Sequence, residues 1–206
     1  MEEGDKMQKL GDAPIGLLVS LFRDQFVVLD RLDQGVLVIR AHNWRKSVFD
    51  GHTNNLRDAC IRTALDEYWQ VLRAAGAELR TASPDGSSLR PVRKTNIDLT
   101  AADGTDEYHC VVGVPVGLLT LAQYGKYQHL IPDVDGPWWL ATPYRTPSQK
   151  GGDDTGVWCV RPKGGAVCLH RGNTAAIRPT LVLDPQLGYL RGSQTRKEEP
   201  VRTGLG

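Results

Sequence analysis

The chain lacks the sequence features that define several large classes of protein. Lys and Arg number 25 against 24 Asp and Glu, so there is no basic excess of the kind that nucleic acid or an anionic membrane attracts. No apolar run approaches the roughly 18 residues of a membrane-spanning helix, and the charged start MEEGDKMQKL does not resemble a signal peptide. We therefore expect a protein that is cytoplasmic as synthesised, with no nucleic-acid partner and no membrane insertion.

Motifs for catalysis and for metal binding are also missing. The sequence has no G-x-S-x-G elbow, no H-E-x-x-H pair and no phosphate-binding G-x-x-x-x-G-K loop. Its four cysteines include no C-x-x-C pair, which argues against a zinc site, and in a reducing compartment we expect them to be small buried thiols: Cys60, Cys110, Cys159 and Cys168. The sequence thus predicts no catalytic residue, no metal and no cofactor.

One acid-rich set in the C-terminal half offers oxygen ligands for a hard cation, and it consists of four aspartates and one asparagine: Asp133, Asp135, Asp153, Asp154 and Asn173. They lie in glycine-rich segments, where such residues usually form solvated turns. The Glu-Pro-Asn and Trp-Asn-Asp signatures of calcium-dependent lectins are absent. We expect no required calcium.

The 206 residues, of which 40% are hydrophobic, are enough for one well-filled core. We predict a single α+β domain over residues 1–187, with an irregular loop excursion at 81–107 and a flexible tail at 188–206. Dense apolar runs separated by turn residues predict a meander of three strands: Leu17–Phe22, Phe26–Leu32 and Val36–Arg40.

Two helices are predicted from spacing and capping. The first is expected to start at an Asn55 cap with Asp58 in its first turn and to stop at Gly76, and its apolar stripe comprises Ile61, Leu65, Tyr68, Trp69 and Leu72. The second starts with a capping box between Thr120 and Gln123 and runs to about Leu130. Short strands are expected before it at 110–112 and 116–119.

The C-terminal half combines a Trp-Trp pair, a loop at 142–156, a hairpin and a closing strand at 176–183. In the hairpin, a two-residue Lys163-Gly164 turn would place Cys159 opposite Cys168, on the face turned away from the core.

Arg178 interrupts the apolar closing strand. A buried guanidinium needs acceptors, so we expect it to tie the 142–156 loop to the sheet, through carbonyl groups or through the acids at 153 and 154.

The order of these pieces resembles the DUF6273 family of bacterial and phage proteins. The matching segments are Phe26-Val-Val-Leu-Asp30, Leu56-Arg57, Leu118-Leu119-Thr120 with Tyr127, Trp138-Trp139-Leu140-Ala141-Thr142-Pro143 and Ile177-Arg178-Pro179-Thr180-Leu181. That family looks like a relative of the C-type-lectin-like fold, which formylglycine-generating enzymes share with the variable proteins of diversity-generating retroelements. The resemblance implies a C-type-lectin-like domain with an irregular, loop-rich C-terminal half.

Three functions remain open on this sequence. The first hypothesis is a non-enzymatic recognition protein of a phage or mobile element, whose loops 142–156 and 170–174 bind a protein or carbohydrate ligand. Its candidate ligand-binding residues are Trp138, Trp139, Tyr144, Arg145, Asp153, Asp154, His170, Arg171 and Asn173, with Arg178 in a structural role. The alternatives are a copper oxidase that uses Cys159 and Cys168 as a thiol pair, and a structural module of a phage particle.

Overall fold

The computed structural model describes residues 8–77, 81–82, 88–149 and 151–191. Within them the chain is mostly β-sheet with two α-helices and two short 3₁₀ turns, an α+β fold as predicted. The helices are α1 (Ile61–Ala74) and α2 (Leu121–Tyr127), and the 3₁₀ turns are Leu10–Asp12 and Gln128–Leu130. The strands are β1 (Gln8–Lys9), β2 (Leu18–Leu21), β3 (Asp24–Leu32), β4 (Gly35–Arg40), β5 (Arg45–Val48), β6 (Thr81–Ala82), β7 (Ser88–Leu89), β8 (Val92–Arg93), β9 (Thr95–Asp98), β10 (Cys110–Val114), β11 (Trp138–Pro143), β12 (Gly156–Val160), β13 (Ala166–His170), β14 (Thr174–Ile177), β15 (Thr180–Leu183) and β16 (Gly188–Arg191).

The first sheet has the order β1-β16-β2-β3-β4-β15-β8. Its centre is the predicted meander, in which β2, β3 and β4 pair antiparallel. A bulge in β3 interrupts the register between Val28 and Asp30. The Asp30 carboxylate accepts hydrogen bonds from the Lys126 ammonium and the Tyr127 hydroxyl, and so ties this sheet to the end of α2.

The second sheet has the order β13-β12-β11-β14-β5, and its neighbours β11 and β14 run parallel. The single closing strand predicted at 176–183 is therefore wrong, because β14 belongs to this sheet while β15 belongs to the first. The break falls at Arg178-Pro179, where proline cannot donate to a ladder. The two residues form the corner between the sheets.

Helix α1 begins at Ile61, later than the predicted Asn55 cap. The two residues that follow β5 supply acceptors that a local cap would otherwise provide: the Asp50 carboxylate accepts from the Cys60 N–H at 2.6 Å, and the Phe49 carbonyl accepts from the Ile61 N–H at 3.0 Å. The predicted apolar stripe is confirmed, with Trp69 half-buried and the others buried in the core: Ile61, Leu65, Tyr68 and Leu72.

The capping box of α2 is confirmed. The Gln123 N–H donates to the Thr120 hydroxyl at 3.2 Å, and the Thr120 N–H donates to the Gln123 side-chain oxygen at 2.9 Å. The strand predicted at 116–119 is wrong. Only Gly117 pairs there, through an isolated bridge to Thr180, because the chain crosses the end of β15 instead of running along it.

Two segments predicted to be irregular contain strands. In the 81–107 excursion, β8 pairs with β15 and β9 pairs with β10. At the start of the predicted tail, β16 lies between β1 and β2, with Tyr189 buried. Backbone pairing orders these polar segments: β8 joins the edge of the first sheet, and β9 forms a separate two-stranded sheet with β10. Composition alone does not predict such pairing. Residues 192–206, the rest of the predicted tail, lie outside the described residues.

Each tryptophan of the Trp138-Trp139 pair enters a different apolar core. Trp139 packs in the larger cluster with the stripe of α1, and Trp138 packs in a second cluster with Tyr124 of α2. Adjacent residues of an extended strand point to opposite faces, as expected. No helix within the described residues is long and apolar enough to cross a membrane.

Candidate functional site

The base of the 142–156 loop is held by one buried amide, Asn54, which is 0% exposed. Its amide nitrogen donates to the Arg145 and Gly156 carbonyl oxygens, each at 2.8 Å. Its side-chain oxygen accepts from the Tyr108 hydroxyl, also at 2.8 Å. Because both ends of the loop bond to the same side chain, the loop is anchored where it leaves and rejoins the sheet.

The middle of the loop is held by a neighbouring segment. The Ser148 N–H donates to the Glu107 carboxylate at 2.9 Å, and this bond holds the pKa of Glu107 below its ordinary value. Turn bonds from Gln149 to Thr146 and from Gly152 to Gln149 complete the local structure, and Thr146 is buried. The described residues of this loop, 142–149 and 151–156, therefore present their outward side chains on a hydrogen-bonded backbone.

The two acids of the loop have structural partners. One carboxylate oxygen of Asp153 accepts from both the N–H and the hydroxyl of Thr155, and these bonds lower the pKa of Asp153. The Asp154 carboxylate accepts from Arg171 at 2.8 Å, and the same Arg171 nitrogen donates to the Asp154 carbonyl at 2.7 Å. Asp154 and Arg171 thus join the loop to the turn that follows β13.

Tyr144 and its polar neighbours Arg145 and Asp153 remain exposed beside these anchors. Tyr144 is 37% exposed, its ring centroid lies 5.5 Å from that of Trp158, and the Arg145 guanidinium carbon lies 5.4 Å from the Tyr144 centroid. Within the described part of the chain, Arg145 forms no ion pair. We call this set the Tyr144 surface, and it comprises Tyr144, Arg145, Asp153, Trp158 and Cys168.

Cys168 is the exposed thiol of the Tyr144 surface. Desolvation and the charge of Asp153 raise its pKa, while Arg145 opposes the rise. The packing requires a glycine at 156, since a Cβ there would lie 2.7 Å from the Cys168 sulfur and 2.9 Å from the Tyr144 Cβ. A shallow depression bordered by Asp103 adjoins the surface.

The predicted cysteine pair is wrong. The observed register places Cys159 opposite Val167 and Cys168 opposite Trp158. Pro162 is the cause: a two-residue turn would need its N–H to close the loop, and proline has none. The Arg161 N–H closes the hairpin on the Gly165 carbonyl instead, at 3.0 Å, which makes a three-residue loop.

This one-residue shift puts the two thiols on opposite faces of the hairpin. Cys159 is buried, and desolvation raises its pKa to about 11, whereas Cys168 is exposed. The facing thiol pair on which the copper-oxidase alternative depends does not exist. Among the residues that the structure describes, no group of three His, Cys, Asp or Glu side chains is placed to hold a metal ion.

Arg178 has the predicted structural role with different partners. It is 1% exposed and donates to the carbonyl oxygens of Arg40 at 2.9 Å, Pro132 at 2.9 Å and Ala41 at 2.7 Å. Its guanidinium carbon lies 5.3 Å from the Trp138 centroid. It ties the sheet corner to the end of β4 and to the segment after α2, and not to the 142–156 loop.

The candidate residues separate into three groups. Tyr144, Arg145 and Asp153 come together on one surface, with Asp154 and Arg171 anchoring its edge. His170 ends β13 and Asn173 lies in the turn that follows; both are exposed, and the Asn173 N–H donates to the His170 carbonyl at 2.9 Å. Trp138 and Trp139 are buried and are not available to a ligand, which corrects their assignment as binding residues.

Sequence reasoning missed Asn54, Tyr108 and Trp158 as parts of the site. Asn54 and Tyr108 act through contacts with loops distant in sequence, and no local pattern marks such contacts. Trp158 was expected on the core face and does pack against the second cluster, but its partner across the hairpin is Cys168, and its ring also contacts Tyr144. The fold and this surface define an α+β domain that presents an anchored loop.

Comparisons with family models, with curated proteins and with solved structures found no match to this chain.

Proposed function

We propose that the protein is a non-enzymatic recognition module with a C-type-lectin-like fold, and that it binds a protein or carbohydrate partner through the Tyr144 surface. The observation that carries the proposal is Tyr144 itself, an exposed ring held between Trp158 and Arg145 on a loop anchored by a buried amide. Tyr, Trp and Arg are the residue types that contribute most binding energy at interfaces.

Preorganisation supports the same proposal. A loop that is already ordered loses little conformational entropy when it binds, so more of its contact energy appears as affinity. The Arg145 guanidinium, which has no carboxylate partner in the described residues, is free to pair with an acidic or hydroxyl group of a ligand. The surface is shallow, which suits the outer face of a macromolecule better than an enclosed small ligand.

The fold assignment and the origin belong to the proposal as well. The antiparallel meander and the two helices are the features that support a C-type-lectin-like relation. An origin in a phage or mobile element rests on the family resemblance alone. A reverse transcriptase with a template repeat, or tail genes, beside the coding sequence would support that origin, and metabolic neighbours would count against it.

The binding proposal is tested by screening the chain on a glycan array and against a displayed peptide library, followed by titration of the best ligand. We expect Tyr144→Ala to weaken the binding of that ligand by about 2 kcal/mol or more. Arg145→Ala should also weaken it, while the matched control Arg161→Ala, an exposed arginine at the far end of the hairpin, should not. Ligands that bind both Tyr144→Ala and Arg145→Ala at wild-type strength would refute the proposed surface.

A further inference from the structure

A second concave site lies away from the Tyr144 surface and shares no residue with it. This pocket of about 270 Å³ is formed between the first sheet, strand β9 and the start of α2. Its inner wall comes from β15 and its outer wall from the β9 segment, with the 117–123 segment closing one side. The volume is near the lower end of the range for small-molecule sites.

Thr180 lies at the inner wall of this pocket and has an unused polar group. The residue is 6% exposed, and its hydroxyl makes no hydrogen bond within the described residues. Its side chain lies on the same face of β15 as that of Val182, which also lines the pocket. The buried side-chain atoms that lack a partner in the described residues do not include its oxygen, so the hydroxyl is open to the pocket and can bond to water or to a ligand.

Three side-chain amides around the pocket each have one end fixed and the other end unused. Gln123 accepts from the Thr120 N–H, Asn96 accepts from the Gly113 N–H at 2.9 Å, and Gln34 donates to the Thr95 hydroxyl at 3.4 Å. Their remaining groups have no partner in the described part of the chain. All three residues line the pocket, so two amide donors and one amide acceptor without a partner among the described residues belong to its wall.

The lining is nearly free of charge. Asp98 is its one ionisable residue among those described, and one of its carboxylate oxygens already accepts from the N–H and the hydroxyl of Thr100. The uncharged wall combines these polar side chains with an apolar part that includes Leu37, Ile97 and Val182. Such a wall fits the C–H face of a ring, and neutral hydrogen-bonding groups fit hydroxyls better than they fit ions.

We propose that this pocket binds a neutral, hydroxyl-rich small molecule of monosaccharide size. Its ring packs against the apolar wall, and its hydroxyls bond to Thr180 and to the free ends of the amides. The proposal is independent of the Tyr144 surface, since either site can fail without the other.

The test is a titration of the ¹⁵N-labelled full chain with the methyl glycosides of glucose, galactose, mannose and N-acetylglucosamine, followed by ¹H–¹⁵N NMR. We expect at least one glycoside to shift the amide signals of Gly117 and Thr180, with a Kd of about 1 mM. Thr180→Val should weaken that binding by about tenfold and leave the unfolding midpoint almost unchanged, because the Thr180 hydroxyl makes no hydrogen bond within the described residues.

Gln34→Ala provides a second variant at an exposed position, where we expect the fold to be retained, and Gln128→Ala is its matched exposed control. The first should weaken binding and the second should not. Tyr144→Ala should leave the titration unchanged. No signal shift with any glycoside at about tens of millimolar would show a pocket that holds only water and would overturn the proposal. Shifts confined to residues near Tyr144 would also overturn it.

Discussion

Arg145 and Arg178 lie in two regions of the molecule and make the same kind of aromatic contact. The guanidinium carbons lie 5.4 Å and 5.3 Å from the centroids of Tyr144 and Trp138. Burial lowers the pKa of Arg178 to about 10, and three carbonyl oxygens stabilise its charge against that cost. Arg145 remains exposed. Burial and acceptors, and not the aromatic contact, distinguish an arginine that holds the fold from one that is available to a partner.

The largest expected effect tests this distinction directly. Arg178→Met should lower the free energy of unfolding by about 3 to 5 kcal/mol, because it leaves buried carbonyl oxygens without donors. Arg145→Met should change it by less than about 0.5 kcal/mol. Denaturant melts measure both. Equal losses in the free energy of unfolding for the two substitutions would contradict the assignment of Arg178 to the fold and of Arg145 to partner binding.

Asn54→Ala should have the next largest effect, because Asn54 is the buried element on which the exposed region depends. We expect a loss of about 2 to 3 kcal/mol, since two carbonyl oxygens and the Tyr108 hydroxyl lose their partner. Amide exchange at 144–149 should accelerate at the same time. Asn173→Ala, at an exposed turn, is the control. A stable variant with an unchanged loop would mean that the anchor lies elsewhere.

A smaller effect is expected from pH. The Ser148 N–H lowers the pKa of Glu107, so the anchor is fully present above the ordinary Glu pKa of about 4.3 and is lost as the pH falls through the lowered value. The Ser148 amide signal should titrate in that acid range, while the Arg178 Nε–H signal should not move. Glu107→Gln should abolish the titration. A Ser148 signal that is insensitive to acid would contradict the anchor.

The smallest effect on stability is expected from thiol modification. Cys168 should react with iodoacetamide in the native protein, and Cys159 should react only after unfolding, because one is exposed and the other buried. Mass spectrometry of tryptic peptides separates the two sites. Modification at Cys168 should leave the melting temperature almost unchanged. A disulfide between Cys159 and Cys168 on mild oxidation would show that the hairpin register is the predicted one after all.

The capping box was predicted correctly from neighbouring residues, whereas the hairpin register was not, because the missing N–H of Pro162 was left out. The capping box of Thr120 and Gln123 was predictable because all of its bonds lie within four residues. The register of β12 and β13 was wrong by one residue, although the missing N–H of Pro162 is also local. Because Pro162 has no N–H, the hairpin needs a three-residue loop, and that loop places Trp158 and Cys168 on the same face.

Other parts of the site were beyond local reasoning. The three acceptors of Arg178 come from residues 40, 41 and 132, and Asn54 bonds to residues 108, 145 and 156. Nothing in the spacing of the sequence brings these segments together. The strands in 81–107 and at 188–191 were missed for a related reason, since a polar segment becomes a strand when a neighbouring edge is free to pair with it.

The sequence by itself determined the meander, the buried stripe of α1 and the opposite faces of Trp138 and Trp139, because hydrophobic period and strand alternation are properties of neighbouring residues. Tertiary structure alone decided that both tryptophans are buried, that Tyr144 is exposed on an anchored loop, and that Thr180 faces a pocket without a partner. Burial and hydrogen-bond satisfaction depend on which distant segments share the same space, and that is set only when both sheets are packed together.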